Sequence, residues 1–336
     1  MKLTYDQLAA CAKGAVIKKE NPDGSIFLRR MTEEQAYIYP AGDAHNITGS
    51  RAAGITLDFY TDSRLVTLSL AGHVPLSRTM CAADLMVDGK IYASTTQWIE
   101  KVEGPKGEEK TYGPLYYTFH LPEGEKRVTL VPQFSLGVDA MTVELCDGAS
   151  FRPYTHKLTM VAFGDSITQG HSAARTCRAY VYQLGQMLDA EVHNYGVSGE
   201  VFRANKIVGQ YPKCDLVTVA YGTNDFGHKA GSRREFEENM PVFFKKLHAV
   251  YPETPTFVLL PLWRADGQPH NDIPSLQFVR DAVSREVKQY ANITVIDCQD
   301  FIPHEPEYFN DLRLHPNESG MNLYAEAVYN VIKEKI

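Results

Sequence analysis

The second half of the chain alternates short apolar runs with amphipathic stretches. Regular alternation of strand and helix patterns predicts a parallel, doubly wound sheet whose ligand crevice lies at the carboxyl ends of its strands. The predicted strands are 158–163, 191–195, 216–221, 256–261 and 293–297. Between them, apolar residues recur at helical spacing in two sets, Phe236, Met240, Phe243, Phe244 and Leu247, and then Leu276, Val279, Val283 and Val287. A last helix is predicted from Met321, Tyr324, Val328, Val331 and Ile332.

The hydrophobic pattern of the first half of the chain has a different period. Between about residues 25 and 150, short alternating or β-branched runs are separated by turn signals such as Asp88-Gly89. This pattern predicts an antiparallel, jelly-roll-like β-sandwich, with helical patterning only at 5–13. We therefore expect a β-sandwich domain at 1–150 and the parallel-sheet domain at 151–336. The predicted strands of the β-sandwich domain are 25–28, 55–60, 65–70, 85–87, 116–119, 128–131 and 141–145.

Composition narrows the class of protein. The chain has 336 residues, of which 44% are hydrophobic, and a net charge of −7 without a long basic run, so nucleic acid is not expected as a partner. No apolar stretch has the roughly 18 residues of a membrane span, and the N-terminal segment does not read as a signal peptide. The six cysteines lack C-x-x-C spacing. We expect a cytoplasmic protein with no metal site and no cofactor.

The best candidate nucleophile follows the first strand of the parallel sheet. Residues 164–170 read Gly-Asp-Ser-Ile-Thr-Gln-Gly, so Ser166 lies where a buried strand breaks into a tight turn. A serine hydroxyl attacks an acyl carbon only if a base removes its proton and hydrogen-bond donors stabilise the oxyanion. Later segments supply such groups at 194–199 (Asn-Tyr-Gly-Val-Ser-Gly), 222–225 (Gly-Thr-Asn-Asp) and 314–316 (Leu-His-Pro).

In order and approximate spacing these four segments resemble the sequence blocks of the SGNH (GDSL) hydrolase superfamily. The resemblance covers about residues 155–336 and implies a flavodoxin-like sheet. It also implies that Ser166 is the nucleophile and His315 the general base. The oxyanion donors implied are the N–H groups of Ser166 and Gly196 and the side-chain amide of Asn224.

The chain departs from the family pattern at the third member of the triad. The family places an aspartate three residues before the histidine, whereas here Leu312 holds that position and Asp311 stands one residue further back. Either a bulge in the loop brings the Asp311 carboxylate to the imidazole, or a backbone carbonyl orients a Ser166–His315 dyad. We favour Asp311.

Substrate signals are fewer. Trp263 and Arg264 follow the fourth predicted strand and are candidate substrate contacts, although a packing role for the tryptophan is equally compatible with its position. A β-sandwich before an SGNH domain is similar to carbohydrate esterase family two, which implies a serine esterase that removes short acyl groups, especially acetyl, from carbohydrates. The expected partner is a small-molecule or oligosaccharide ester, and the sequence does not indicate an oligomeric state.

Three alternatives remain open from the sequence. The first is an esterase of the same fold that acts on lipid or small-alcohol esters. The second is a carbohydrate-binding protein with a degenerate hydrolase domain, an idea supported only by Leu312. The third is transfer of the acyl group to an acceptor other than water.

Overall fold

The chain folds into two compact units. The computed structural model describes residues 1–36, 38, 51–75, 80–98, 101–104, 108–173, 175–227 and 231–336. The first unit is Met1–His156 with Arg175–Cys177, and the second is Lys157–Ala174 with Arg178–Ile336. Among the described residues, no helix combines the length and the apolar character needed to cross a membrane.

The first unit contains two antiparallel sheets that share one apolar core. One sheet has the strand order β1-β4-β9-β6-β7, with β11 also paired to β4, and the other has the order β2-β3-β10-β5-β8. Leu57 and Leu130 from the first sheet and Leu68 and Met141 from the second are members of this core. The elements are α1 Tyr5–Cys11, β1 Ala12–Lys13, β2 Ile17–Glu20, β3 Ile26–Arg29, α2 Glu33–Ala36, β4 Thr56–Thr61, β5 Leu65–Pro75, β6 Met80–Val87, β7 Lys90–Trp98, β8 Glu109–His120, β9 Lys126–Pro132, β10 Gly137–Leu145 and β11 Arg152–Pro153.

The antiparallel fold predicted for this half is confirmed, with one long strand missing from the prediction. Strand β5 alternates between buried and partly exposed positions, as expected for a strand with one face on a core. Among the strands that the structure describes, β7 pairs only with β6 at the sheet edge, and none of its residues is buried. Its Ser, Thr and Gln side chains therefore give no apolar run from which the strand could be recognised.

The second unit is built on a five-stranded parallel sheet with the order β13-β12-β14-β15-β16. The doubly wound sheet and the helices predicted from the apolar pattern are confirmed. The elements are β12 Leu158–Gly164, α3 Ser166–Gln169, α4 Tyr180–Leu188, β13 Ala190–Gly196, β14 Leu216–Ala220, α5 Thr223–Gly227, α6 Arg233–Val250, β15 Thr256–Leu259, α7 Leu276–Glu286, β16 Ile293–Ile296 and α8 Glu318–Ile332.

Helices lie against the sheet as the apolar stripes predict. Helices α4 and α8 contact each other through the rings of Tyr180 and Tyr324, whose centroids are 4.5 Å apart. Helix α6 presents Phe243 to Phe163 of strand β12, at a centroid distance of 6.3 Å. Because β12 lies between β13 and β14, the loops that leave these three strands meet at one edge of the sheet.

Candidate active site

Ser166 is the first residue of α3 and is separated from the end of strand β12 only by Asp165. Asp165 caps the helix, because its Oδ1 accepts the Ile167 N–H at 2.9 Å. Gly164 is required in this turn, since a Cβ there would lie 2.1 Å from Thr168 Oγ1. The short helix ends at Gly170, whose φ of 99° is readily adopted only by glycine. The local sequence thus fixes the serine at the carboxyl end of the sheet.

The structure brings Ser166 and His315 together across 149 residues of chain. Ser166 Oγ lies 2.9 Å from His315 Nε2, within hydrogen-bonding distance. A neutral imidazole whose Nε2 carries no hydrogen accepts the hydroxyl proton in this arrangement. This is the geometry that a general base requires.

Asp311 completes a chain of hydrogen bonds behind His315. Its Oδ2 lies 2.8 Å from His315 Nδ1, and its Oδ1 accepts the backbone N–H groups of Arg313, Leu314 and His315 at 3.1, 2.7 and 3.1 Å. The additional residue is accommodated at Leu312, which has a φ of 54° and a side chain that is 65% exposed. Of the two possibilities left by the sequence, the geometry is that of the bulged loop.

The Asp311 carboxylate remains ionised in this environment. Partial burial by itself would raise its pKa, but the Leu314 N–H and the His315 ring and N–H outweigh burial, so the pKa lies well below its usual value. A fixed negative charge therefore lies next to the imidazole.

Gly196 is placed differently from the prediction. It is the last residue of β13, and its N–H donates to Asn194 Oδ1 at 2.8 Å. The same Asn194 donates from Nδ2 to the Thr168 carbonyl at 2.8 Å, so Gly196 belongs to a link between β13 and α3. Because its N–H is already used, we correct the assignment of Gly196 as an oxyanion donor.

The turn that follows offers another glycine. Val197 N–H donates to the Gly164 carbonyl at 2.9 Å, and Ser198 N–H donates to Gln169 Oε1 at 2.9 Å, so the turn is held against the serine loop. Gly199, with a φ of 81°, follows directly. Within the described residues, its N–H forms no hydrogen bond. The sequence contained this signal, since the segment 194–199 carries two glycines.

Asn224 lies next to this turn, in the first turn of α5. Its Nδ2 donates to the Glu200 carbonyl at 3.0 Å. A primary amide carries two hydrogens, so one remains for a substrate oxygen. The structure therefore groups Ser166, Gly199 and Asn224 around the ends of β12, β13 and β14.

Arg264 is not a substrate contact in this structure, which corrects the prediction. Its side chain is buried, pairs with both carboxylate oxygens of Asp266 at 2.6 and 2.8 Å, and donates to the Thr223 carbonyl at 2.8 Å. Its guanidinium therefore supports the segment that carries Asn224. Trp263 packs into the core region, where its ring stacks on His304 at a centroid distance of 5.1 Å, which favours the packing role.

Three further polar groups near the site were not predicted as part of it. The ring of His171, one residue beyond the serine motif, lies 4.6 Å from the ring of His315. Glu200 is fully buried and forms an ion pair with Lys206 at 3.0 Å. Burial raises the pKa of Asp225 to about 7, and its carboxylate accepts the Phe202 N–H at 3.2 Å. In the described ranges, no three His, Cys, Asp or Glu side chains are grouped to hold a metal ion.

The comparison with protein families agrees with this geometry. Residues 162–323 match the model of the GDSL-like Lipase/Acylhydrolase family. The match covers just under half of the chain and falls in the second unit except for Arg175–Cys177. The matched region runs from strand β12 to helix α8 and includes Ser166, Asn224 and His315. No curated protein sequence matches the chain significantly.

Solved structures share the fold of both units. The salicylyl-acyltransferase SsfX3 from a tetracycline biosynthetic pathway has a TM-score of 0.79 at 20% identity, with 96% of this chain and 94% of that chain covered. A family two carbohydrate esterase from Cellvibrio japonicus has a TM-score of 0.61 at 16% identity, with 96% of this chain and 94% of that chain covered. The acetyl xylan esterase Est2A from Butyrivibrio proteoclasticus has a TM-score of 0.57 at 14% identity, with 85% of this chain and 91% of that chain covered. The likeness to these structures therefore concerns the fold and extends over both units of the chain.

Proposed function

We propose that the protein is a serine esterase that removes a short acyl group, such as acetyl, from carbohydrate hydroxyls through an acyl-enzyme intermediate. The observation that carries this proposal is the continuous chain of hydrogen bonds from Ser166 Oγ through His315 to Asp311. A degenerate hydrolase domain would have no need to keep this geometry intact. The carbohydrate esterases and the acetyl xylan esterase of the same architecture support the choice of substrate.

In the proposed reaction His315 Nε2 takes the Ser166 proton while Oγ attacks the acyl carbon. The resulting oxyanion receives hydrogen bonds from the N–H groups of Ser166 and Gly199 and from Asn224 Nδ2. Asp311 holds the tautomer of His315 and stabilises the imidazolium. The imidazolium then protonates the leaving alkoxide, and the C–O bond to the alcohol breaks. Water, activated by His315, hydrolyses the acyl-serine in the same manner and restores the free hydroxyl.

A decisive experiment compares p-nitrophenyl esters of increasing chain length with acetylated xylo- and manno-oligosaccharides. We expect acetyl esters to be the preferred members of both series. Ser166→Ala should lower turnover by as much as about 10⁶-fold, the order seen when the nucleophile of another serine hydrolase is removed. Ser284→Ala makes the same change on helix α7 and serves as the control. Retention of more than a few percent of turnover in Ser166→Ala would contradict the proposal, and mass spectrometry of a quenched reaction should locate the acetyl group on Ser166.

Acyl transfer is the second candidate, because the salicylyl-acyltransferase covers nearly the whole chain with a TM-score of 0.79. An acyl-enzyme reacts with any acceptor that reaches it. Adding sugar or phenolic alcohols to the hydrolysis assay distinguishes the two functions. Hydrolysis predicts that free acid remains the main product, whereas transfer predicts a new ester that increases with acceptor concentration.

A further inference from the structure

A cavity of about 530 Å³ lies in the second unit beside the oxyanion turn. One wall is formed by residues 201–205, and the opposite wall by the N-terminal half of α6. Its lining also includes Asp225, which is the neighbour of Asn224 in the chain. The mechanism above uses none of the side chains that line this cavity.

Hydrogen bonds connect the cavity to the reacting groups. Phe202 N–H donates to Asp225, and Asn224 Nδ2 donates to the carbonyl of Glu200, the residue before the cavity wall begins. Gly199 precedes that wall by two residues. The cavity therefore lies along the segment that follows Gly199 and beside the chain neighbour of Asn224.

The size of the cavity excludes the acetyl group as its main occupant. An acetyl group fills about the volume of two water molecules, or roughly 60 Å³. The cavity is several times larger and lies in the range of sites that bind whole small-molecule ligands. The cavity therefore has room for a larger part of the substrate than its acyl group.

The lining favours a ligand rich in hydroxyl groups. Asn205 and Glu235 are exposed and provide an amide and a carboxylate, whereas the rings of Phe202 and Phe236 are buried beneath the lining. An alkyl chain would remove these polar groups from water without replacing their hydrogen bonds. The charges in the lining have both signs, since Arg203 stands near Glu235 and is itself paired with Glu200 at 2.8 Å. This composition does not select a charged ligand.

We propose that the cavity is a subsite for a neutral sugar unit of the ester substrate, recognised by Asn205 and Glu235. This inference rests on the proposed esterase function, because it assigns the sugar of that substrate to the cavity. The Asn205 amide and the Glu235 carboxylate form hydrogen bonds with hydroxyl groups of the sugar.

The first test measures binding without catalysis. Ser166→Ala is titrated by calorimetry with unacetylated xylotriose and mannotriose, and the triple variant that also carries Asn205→Ala and Glu235→Ala is compared with it. We expect at least one trisaccharide to bind and the triple variant to lose about tenfold or more in affinity, which is the effect of removing two hydrogen bonds. Ser166→Ala with Glu238→Ala is the matched control, because Glu238 lies on the same helix but outside the cavity. Equal affinity of the triple variant and this control, or no binding to either protein, overturns the proposal.

The second test uses the ratio of kcat/KM on acetylated oligosaccharides to kcat/KM on p-nitrophenyl acetate. Asn205→Ala/Glu235→Ala should lower this ratio about tenfold or more, whereas Glu238→Ala should leave it unchanged. A changed preference among p-nitrophenyl esters of different chain length, with this ratio constant, assigns the cavity to the acyl group and overturns the sugar subsite. Wild-type protein that hydrolyses no ester contradicts the proposed function instead, and the calorimetric result still decides the subsite.

Discussion

Replacement of Asp311 by asparagine isolates the orienting carboxylate. The asparagine Oδ1 can accept the same three backbone N–H groups, so the turn that carries His315 should remain folded. The change falls on Oδ2, which lies 2.8 Å from His315 Nδ1 and is replaced by an NH₂ donor. This donor pairs only with an unprotonated Nδ1. The hydrogen of the neutral ring is then on Nε2, 2.9 Å from Ser166 Oγ, and the ring cannot accept the serine proton.

The expected loss of turnover in Asp311→Asn follows from the wrong tautomer of His315 and from the missing negative charge at residue 311. The same replacement in a trypsin-type triad lowers kcat about 10⁴-fold, a value measured in another protein. Here the side chain of Asp311 is 30% exposed, so water partly replaces the lost acceptor and charge. We therefore expect a loss of about 10³- to 10⁴-fold, which corresponds to roughly 4 to 5.5 kcal/mol in the transition state.

The assay is kcat for p-nitrophenyl acetate, with circular dichroism and thermal unfolding as checks on the fold. The chain provides a matched control in Asp300 and His304, which have the same four-residue spacing and lie 3.0 Å apart on the surface. Asp300→Asn should leave kcat at the wild-type value. A loss of less than tenfold in folded Asp311→Asn would refute the triad and leave a Ser166–His315 dyad.

Substitutions at three other positions test the loops around the site. Leu312→Gly should keep turnover near wild type. The β-branched Leu312→Ile should lower the free energy of unfolding by about 1 kcal/mol, because φ at this position is 54°. A melting temperature of Leu312→Ile above that of Leu312→Gly would contradict the strained turn. Gly196→Ala should lower the free energy of unfolding by about 1 to 3 kcal/mol, since the new Cβ would lie 2.5 Å from Gln169 N, and an unchanged melting temperature would exclude this clash. Burial raises the pKa of Asp165 from 3.8 to about 7, so the folded protein holds a proton that the unfolded chain releases. Stability should fall as pH rises from about 4 to 7, and Asp165→Asn should reduce this slope in urea unfolding; equal slopes would show that Asp165 does not titrate in this window.

Much of the fold follows from apolar periodicity, and the exceptions have physical causes. The parallel strands β12, β14, β15 and β16 are apolar runs, as expected for strands whose sheet is covered on both faces, and such runs are visible in a sequence. Strand β13 is less apolar, because it includes Glu191, His193 and Asn194. Strand β7 (Lys90–Trp98) has no buried residue and leaves no such trace. Its pairing with β6 is set by backbone hydrogen bonds, which do not depend on side-chain pattern.

The site was predicted as far as residue type and order determine it. Ser166, His315 and Asn224 follow strand ends, and the topology brings them to one edge. Which of two glycines in 194–199 has an available N–H depends on the Asn194 side chain, and that contact is not encoded in spacing. Arg264 was expected to face substrate because it follows a strand, but Asp266 and the Thr223 carbonyl bind its guanidinium inside the protein.

The turn at Leu312 explains both the additional residue between Asp311 and His315 and the fixed position of the Asp311 carboxylate. With Leu312 in the left-handed region, the N–H groups of Arg313, Leu314 and His315 all reach one oxygen of Asp311. Three donors on Oδ1 restrict rotation of the carboxylate, so Oδ2 is directed at the imidazole before any imidazolium forms. Such preorganisation avoids reorganisation during the reaction, which is the main advantage of a fixed charge in an active site. The additional residue therefore does not separate the aspartate from the histidine. It produces the turn that holds them together.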